Sequence, residues 1–111
     1  MPTLKPKPTL ADLQAYIKAL CAERGWDTNN HLEIFLLFTE EIGELAKGIR
    51  TYSDLYQEEG KQKQKAVAKK ELEGEFADVL SYLLDLANYF DIDLEQAFRE
   101  KEAINAKRQW K

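Results

Sequence analysis

Apolar side chains recur every three or four residues through four segments of this chain, and that spacing constrains its fold more than any other feature. The first segment follows Thr9, a residue type that caps helix N-termini, and stops at Gly25. The second begins after Asn30, another good N-cap, and runs to about Arg50 or Tyr52. The alternating pattern of strands is nearly absent, so we predict an all-α fold.

Two further helical segments follow a polar loop. Residues 53–64, "SDLYQEEGKQKQ", have no apolar period and predict that loop, and residues 65–90 predict the third helix. Asp93 is expected to cap a fourth helix running to about Gln109, with Gln96 at the third helical position of a capping box. Four helices with connections of this length indicate an antiparallel four-helix bundle.

Each of the first three predicted helices carries an apolar stripe that we expect to face the core. The stripes are Leu10, Leu13, Ile17 and Leu20; Phe35, Phe38, Ile42, Leu45 and Ile49; and Leu72, Phe76, Val79, Leu83, Leu86 and Phe90. On a helical wheel Leu32 and Leu36 point away from the stripe of the second helix. A helix that is apolar on two sides is buried on two sides, so these leucines predict a second inter-helix contact or a subunit interface.

Length and composition bound the organisation of the chain. With 111 residues it is expected to form a single helical domain, residues 9–111, after a flexible N-terminal tail, residues 1–8. Cys21 is the one cysteine and has no internal disulfide partner, which favours the cytoplasm. No apolar run approaches the roughly 20 residues of a membrane span. The net charge of −4 argues against nucleic-acid binding.

Four carboxylates form the most informative pattern. Glu41 and Glu44 are three residues apart on the second helix, and Glu75 and Asp78 repeat that spacing on the third. If the two helices pack together the carboxylates converge, and like charges at close range need a proton or a cation. Hard divalent cations take oxygen ligands, so the pattern predicts a Mg²⁺ site, with Mn²⁺ as a substitute. The alternative is an acidic solvated face.

A ferritin-like di-iron centre also uses carboxylates of a helical bundle. It needs Glu-x-x-His motifs. His31 is the one histidine and does not stand three residues after any glutamate, which argues against this type of centre.

Polar and aromatic residues outside the carboxylate motifs are candidates for binding a nucleotide. Lys101, Asn105 and Arg108 continue the apolar stripe of the fourth helix, and their groups match phosphate oxygens. A frayed C-terminus rich in basic residues is the alternative. Trp26, His31 and Tyr82 lie near helix ends and form a candidate pocket for a base, with core packing as the alternative. The acidic site and this triphosphate interpretation agree only if a metal ion lies between them.

The motifs "EEIGEL", "ELEGEFADVLSYL" and "KEAINAKRQW", in this order, resemble the MazG-like all-α nucleoside triphosphate pyrophosphohydrolases. The resemblance covers about residues 9–110, and "AERGW" is similar to the end of the first helix in the dCTP pyrophosphatase branch. It implies Mg²⁺-dependent hydrolysis of an NTP or dNTP between the α and β phosphates. It also implies a dimer or tetramer with sites built from more than one subunit.

The resemblance assigns roles to individual residues. Metal ligands match Glu41, Glu44, Glu75 and Asp78, and phosphate or sugar contacts match Lys101, Asn105 and Arg108. Glu40, with Glu41, is the candidate for orienting or deprotonating the water. The segment "WDTNNHLEIF" is shorter than its counterpart in the dCTP branch, so the preferred base stays open. A dUTP or phosphoribosyl-ATP pyrophosphohydrolase and a non-catalytic helical oligomer are the alternatives.

Overall fold

The computed structural model describes residues 1–108, which contain four α-helices and no β-strand. The helices are α1 (Leu10–Arg24), α2 (His31–Tyr52), α3 (Lys65–Tyr89) and α4 (Leu94–Asn105). The predicted all-α fold with four helices is therefore confirmed for this part of the chain.

The chain divides into two compact units. The terminal unit contains Met1–Asn30 and the chain from Leu84 onward, and the central unit is His31–Leu83. The terminal unit thus holds α1, α4 and the end of α3 from Leu84 onward, whereas α2 and most of α3 form the central unit. The bundle arrangement and the single domain stay predictions. In the predicted tail, Lys5 forms an ion pair with Asp12 at 3.2 Å.

Capping residues begin and end α1 as the sequence predicts. The Thr9 hydroxyl accepts a hydrogen bond from the Asp12 amide at 3.1 Å, and the Asp12 carboxylate accepts one from the Thr9 amide at 3.0 Å. This reciprocal pair is a capping box. Gly25 ends the helix with a φ of 71°, a left-handed conformation that glycine adopts without strain.

At α4 the cap is confirmed and the helix is shorter than predicted. The Asp93 side chain accepts from the Gln96 amide at 3.1 Å, but the Gln96 side chain donates to Glu100 instead of returning to the cap. The helix ends at Asn105, because the amide of Arg108 bonds to the carbonyl three residues back, at 3.1 Å, and not four. The predicted end at Gln109 lies outside the described residues.

The buried residues differ in part from the predicted stripes. On α2 Ile34 is 4% exposed while its stripe neighbour Phe35 is 53% exposed, and on α3 Leu84 is 2% exposed while Leu83 is 39% exposed. The buried residue is therefore next to the predicted one, one position before it on α2 and one position after it on α3, which is about 100° around the helix. Periodicity identifies a helix, but where two sides are apolar it does not decide which side meets the same chain.

One buried polar residue joins elements of the terminal unit. The Gln14 side chain is 8% exposed, accepts a hydrogen bond from the Leu94 amide at 3.0 Å and donates one to the Ile92 carbonyl. Its main-chain carbonyl accepts from the Asn88 amide group at 3.0 Å. Gln14 thereby ties α1 to the junction between α3 and α4, and its polar atoms are satisfied despite burial.

Candidate metal centre

Three carboxylates of the central unit meet between α2 and α3. Glu41 comes from α2, and Glu75 and Asp78 come from one face of α3. One carboxylate oxygen of each lies within 4.8 Å of the others. The spacing of Glu75 and Asp78 by three residues places both on the side of α3 that carries the cluster.

The electrostatic state of Glu41 reflects this convergence. Its pKa is raised first by burial and then by the negative charges of Asp78 and Glu75. Glu40 and Glu44 raise this pKa further in the same direction. A carboxyl group placed among like charges favours its neutral form unless a cation offsets them, which is the situation that the sequence pattern predicts.

The donor set fits a hard divalent cation. The Oε2 atom of Glu75 is buried and has no hydrogen-bond partner among residues 1–108. A buried carboxylate oxygen without a donor is costly, so such an atom calls for a ligand. The three groups offer oxygen atoms alone, as Mg²⁺ and Mn²⁺ prefer. The residues present therefore fit the metal that the acidic pattern predicts.

The structure brings together three of the four predicted metal ligands. Glu44 is exposed and is not part of the group formed by Glu41, Glu75 and Asp78, although its charge raises the pKa of Glu41. Glu40, the predicted partner of Glu41 in activating water, is also exposed. The metal role of Glu44 and the catalytic role of Glu40 stay predictions.

The residues predicted to contact a base lie in both units. In the central unit His31 is exposed and Tyr82 is half-buried. In the terminal unit the Trp26 ring is 51% exposed, and the Arg24 guanidinium carbon lies 5.0 Å from its centroid. The Arg24 side chain therefore lies over the Trp26 ring and forms a cation–π contact with it.

The predicted phosphate contacts lie on or just after α4, in the terminal unit. Lys101 and Arg108 are exposed, which suits groups that bind a ligand and does not suit a buried stripe. Asn105 is half-buried, and its Oδ1 atom is buried without a hydrogen-bond partner in the described part of the chain. The substrate-binding role of all three stays a prediction.

Sequence reasoning assigned no role to Gly48, which lies against Leu72 and Glu75 of α3. The signal was present, because a glycine inside a helix costs stability and usually has a packing reason. The signal did not single out Gly48, since Gly43 and Gly74 also lie inside these helices, and a Cβ at either position would meet no atom within 4 Å.

Among residues 1–108, no helix combines the length and apolar character needed to cross a membrane. Within residues 1–108, helices without strands and three carboxylates that meet between two of those helices are the features of a helical protein whose acidic cluster could hold a divalent cation. Comparison with known proteins narrows this class. Residues 29–109 match the MazG nucleotide pyrophosphohydrolase domain, and the chain belongs to that family.

Curated relatives agree with this assignment. The chain is similar to dCTP pyrophosphatase 1 of Mus musculus, with 35% identity over 93% of this chain and 60% of the relative. The human dCTP pyrophosphatase 1 is 33% identical over 96% of this chain and 62% of the relative. The dATP/dGTP diphosphohydrolase of cyanophage S-2L is 35% identical over 92% of this chain and 78% of the relative. The predicted MazG-like resemblance is confirmed, and the chain spans about 60% of the length of the mouse relative.

Proposed function

We propose that this protein is a Mg²⁺-dependent nucleotide pyrophosphohydrolase that cleaves an NTP or dNTP between the α and β phosphates. The observation that carries the proposal is the convergence of Glu41, Glu75 and Asp78 on two neighbouring helices. Membership of the MazG nucleotide pyrophosphohydrolase family supports the reaction class. The products are a nucleoside monophosphate and pyrophosphate, and one water is consumed.

The carboxylates of the central unit hold the cation. Glu41, Glu75 and Asp78 would supply oxygen ligands, and Glu44, which is exposed and one helical turn after Glu41, would be the fourth. A Mg²⁺ or Mn²⁺ ion held by these residues would offset the negative charge of the triphosphate and make a water molecule easier to deprotonate. The same charge would offset the repulsion from Asp78 and Glu75 that, after burial, raises the pKa of Glu41, and would thereby favour its ionised form.

Glu40 and Glu41 are the residues proposed to orient or deprotonate the attacking water. Glu40 is exposed and immediately precedes a metal ligand, so its carboxylate is free to accept the proton of the attacking water. The water oxygen forms a bond to the α or β phosphorus, and the bridging P–O bond breaks. The leaving group takes the electron pair of that bond. It is pyrophosphate if the water attacks the α phosphorus, and the nucleoside monophosphate if it attacks the β phosphorus.

Substrate contacts are assigned to residues outside the carboxylate group. Lys101 and Arg108 donate to phosphate oxygens, and the unpartnered Oδ1 of Asn105 accepts from the substrate, for example from a sugar hydroxyl. Trp26, His31 and Tyr82 contact the base, since aromatic faces stack on nucleobases. The family resemblance of "KEAINAKRQW" and "AERGW" supports these roles.

The substrate class follows from the relatives. One is named for dCTP and another for dATP and dGTP, so deoxyribonucleoside triphosphates are the first candidates. Because these names differ in the base, the acidic site fits the triphosphate that such substrates share, and the base preference depends on other residues.

A self-associating protein also fits the exposed apolar surface. Leu32 is 63% and Leu36 is 69% exposed in the single chain, and both lie on the second apolar side of α2. Adjacent exposed leucines on a helix indicate a binding surface. We assign it to a second copy of this chain, in a dimer or tetramer.

A substrate screen tests the proposal. The purified protein is incubated with each common NTP and dNTP, including dUTP, and with phosphoribosyl-ATP, in Mg²⁺ or Mn²⁺. Ion-exchange chromatography then separates monophosphate and pyrophosphate from diphosphate and phosphate. Monophosphate with pyrophosphate is the expected pair. Diphosphate with phosphate contradicts cleavage at the α–β bond, and absence of turnover favours the non-catalytic oligomer.

A further inference from the structure

Gly48 marks a point of close approach between α2 and α3. A Cβ atom built on Gly48 would lie 3.3 Å from Cδ1 of Leu72 and 3.9 Å from its Cα atom. The same Cβ would lie 3.5 Å from Cγ of Glu75. Since the backbone of Leu72 is itself within reach, the approach involves the helix and not only the end of a flexible side chain.

A glycine at position 48 destabilises the interior of α2. Glycine inside a helix is less favourable than alanine because it has more conformational freedom to lose. Gly43 of α2 and Gly74 of α3 lie in the same two helices, and nothing within 4 Å would meet a Cβ at either position. Among these three glycines, Gly48 is the one where an added Cβ would contact the neighbouring helix, and the approach to Leu72 would be tighter than an ordinary van der Waals contact.

The residue beside Gly48 belongs to the carboxylate group. Glu75 must present one oxygen within 4.8 Å of those of Glu41 and Asp78, and its Oε2 atom is buried. Its Cγ atom would lie 3.5 Å from a Cβ at Gly48, so any side chain at that position would contact the aliphatic part of Glu75. A Cβ at Gly48 would press on Cδ1 of Leu72, and Leu72, Glu75 and Asp78 all belong to α3, so a shift of this helix would move both carboxylates.

We propose that Gly48 is a positioning residue for the metal ligand Glu75, setting the approach of α2 and α3 that brings the three carboxylates to one cation; this rests on the proposed metal-dependent function. Mg²⁺ demands near-ideal octahedral geometry at short distances, whereas Ca²⁺ accepts longer and more variable ones. A wider separation of the helices therefore weakens Mg²⁺ more than Ca²⁺. General destabilisation of the fold would weaken both alike.

Calorimetric titration of the full chain with Mg²⁺ and with Ca²⁺, without nucleotide, measures this directly. Gly48→Ala adds the Cβ alone, and Gly48→Val extends it further toward α3. We expect Gly48→Val to weaken Mg²⁺ binding by about 10- to 100-fold, the range for residues that orient metal ligands. Ca²⁺ binding is expected to change by a smaller factor, and Gly48→Ala to show the same order with a smaller effect.

Matched variants separate positioning from loss of structure. Gly43→Val and Gly74→Val make the same change where the added Cβ has no atom within 4 Å, and we expect both to keep the Mg²⁺ affinity of the wild type. Adding Leu72→Ala to Gly48→Val removes the Cδ1 atom that the new side chain meets, and should restore part of the Mg²⁺ affinity. Thermal melts of every variant verify folding, and Gly48→Ala serves if Gly48→Val does not fold.

The results distinguish this inference from the proposed function. If the Gly48 variants bind Mg²⁺ as the wild type does, or lose Mg²⁺ and Ca²⁺ by the same factor, the positioning role is wrong. If the wild type binds Mg²⁺ but hydrolyses no nucleotide, the proposed reaction is wrong, while the Gly48 dependence of binding still decides the inference. A selective loss of Mg²⁺ with rescue by Leu72→Ala supports it.

Discussion

Glu41 of α2 and Asp78 of α3 bring their carboxylate oxygens within 4.8 Å of each other. After burial, the charge of Asp78 is the largest contribution to the raised pKa of Glu41. The two carboxylates therefore repel each other, and a cation bound between them would relieve that repulsion. Removing either charge should therefore lower activity, while the stability of the metal-free protein should stay the same or rise.

Glu41→Gln should lower turnover by at least about two orders of magnitude, because it removes a metal ligand and a candidate base together. The metal-free melting temperature should stay the same or rise, since a repelling charge is lost. Steady-state kinetics and thermal melts in EDTA check both. Glu59→Gln, in the exposed loop after α2, is the matched control for loss of one negative charge. A turnover like that of the wild type would contradict the site assignment.

Divalent cations should stabilise the protein against heat, and EDTA should abolish hydrolysis. A ligand that binds only the folded state adds stability that grows with its concentration, about 2.7 kcal/mol at 100 times its dissociation constant. For Glu75→Gln we expect the Mg²⁺-dependent rise in melting temperature to shrink strongly. Scanning calorimetry across a Mg²⁺ series provides the measurement. Wild-type activity in excess EDTA would rule out a metal-dependent reaction.

The carboxylate group shows how far sequence alone reaches. The spacing of Glu75 and Asp78 predicted a shared face, and repetition of that spacing on α2 predicted convergence; the structure brings Glu41 to that face. Glu44 was predicted by the same spacing but does not join the group, because spacing gives the side of a helix and not the reach of a side chain. Gly48 was missed since its contact is with a residue far away along the chain.

The sequence predicted the helix boundaries but not all of the buried positions. Local signals at Thr9, Gly25 and Asp93 fixed helix ends correctly, because capping uses hydrogen bonds between near neighbours. The buried positions Ile34 and Leu84 were not predicted, because burial depends on which neighbour covers each side. That information is in the packing and not in the periodicity of one helix.

Leu36→Glu should shift the protein toward the monomer if the second apolar side of α2 is an interface. The side chain is 69% exposed in the single chain, so the change should be tolerated by the folded subunit. A charge buried in an interface is costly, and its partner on the other copy would carry the same charge. Light scattering coupled to size-exclusion chromatography measures the mass. Leu55→Glu, 50% exposed in the loop after α2, is the control. A monomeric wild type at micromolar concentration would exclude the interface.

Alkaline pH should destabilise the protein through Cys21. Burial, followed by the Asp85 carboxylate that its thiol contacts at 3.8 Å, raises the pKa of Cys21 from 9.0 to about 11. The folded state then binds more protons than the unfolded state between these pH values, so stability falls as pH rises through this window. The loss attributable to this thiol is roughly 1–3 kcal/mol.

Cys21→Ala removes this titration and tests the assignment. Urea unfolding of both proteins at pH 8 and pH 10.5 gives the loss of unfolding free energy of each protein between these pH values. Contributions from other groups that titrate in this range are common to both proteins and cancel in the difference. The variant should start less stable, because a buried side chain is truncated, and lose less on going to high pH. Equal losses in the two proteins would show that the thiol does not titrate with a raised pKa.

Lys101→Met tests whether α4 serves the substrate. Lys101 is exposed, so methionine should leave the melting temperature within a few degrees of the wild type. If the ammonium group contacts a phosphate oxygen, binding of a non-hydrolysable nucleotide with Mg²⁺ should weaken by about 1.5–3 kcal/mol, or roughly 10- to 150-fold. Lys107→Met makes the same change at an exposed position of the same terminus that lies off the stripe. Calorimetric titration of both variants separates a specific contact from the general effect of positive charge. Equal affinities for the two variants and the wild type would mean that Lys101 only complements the helix dipole, and the family resemblance would then carry no functional role at this position.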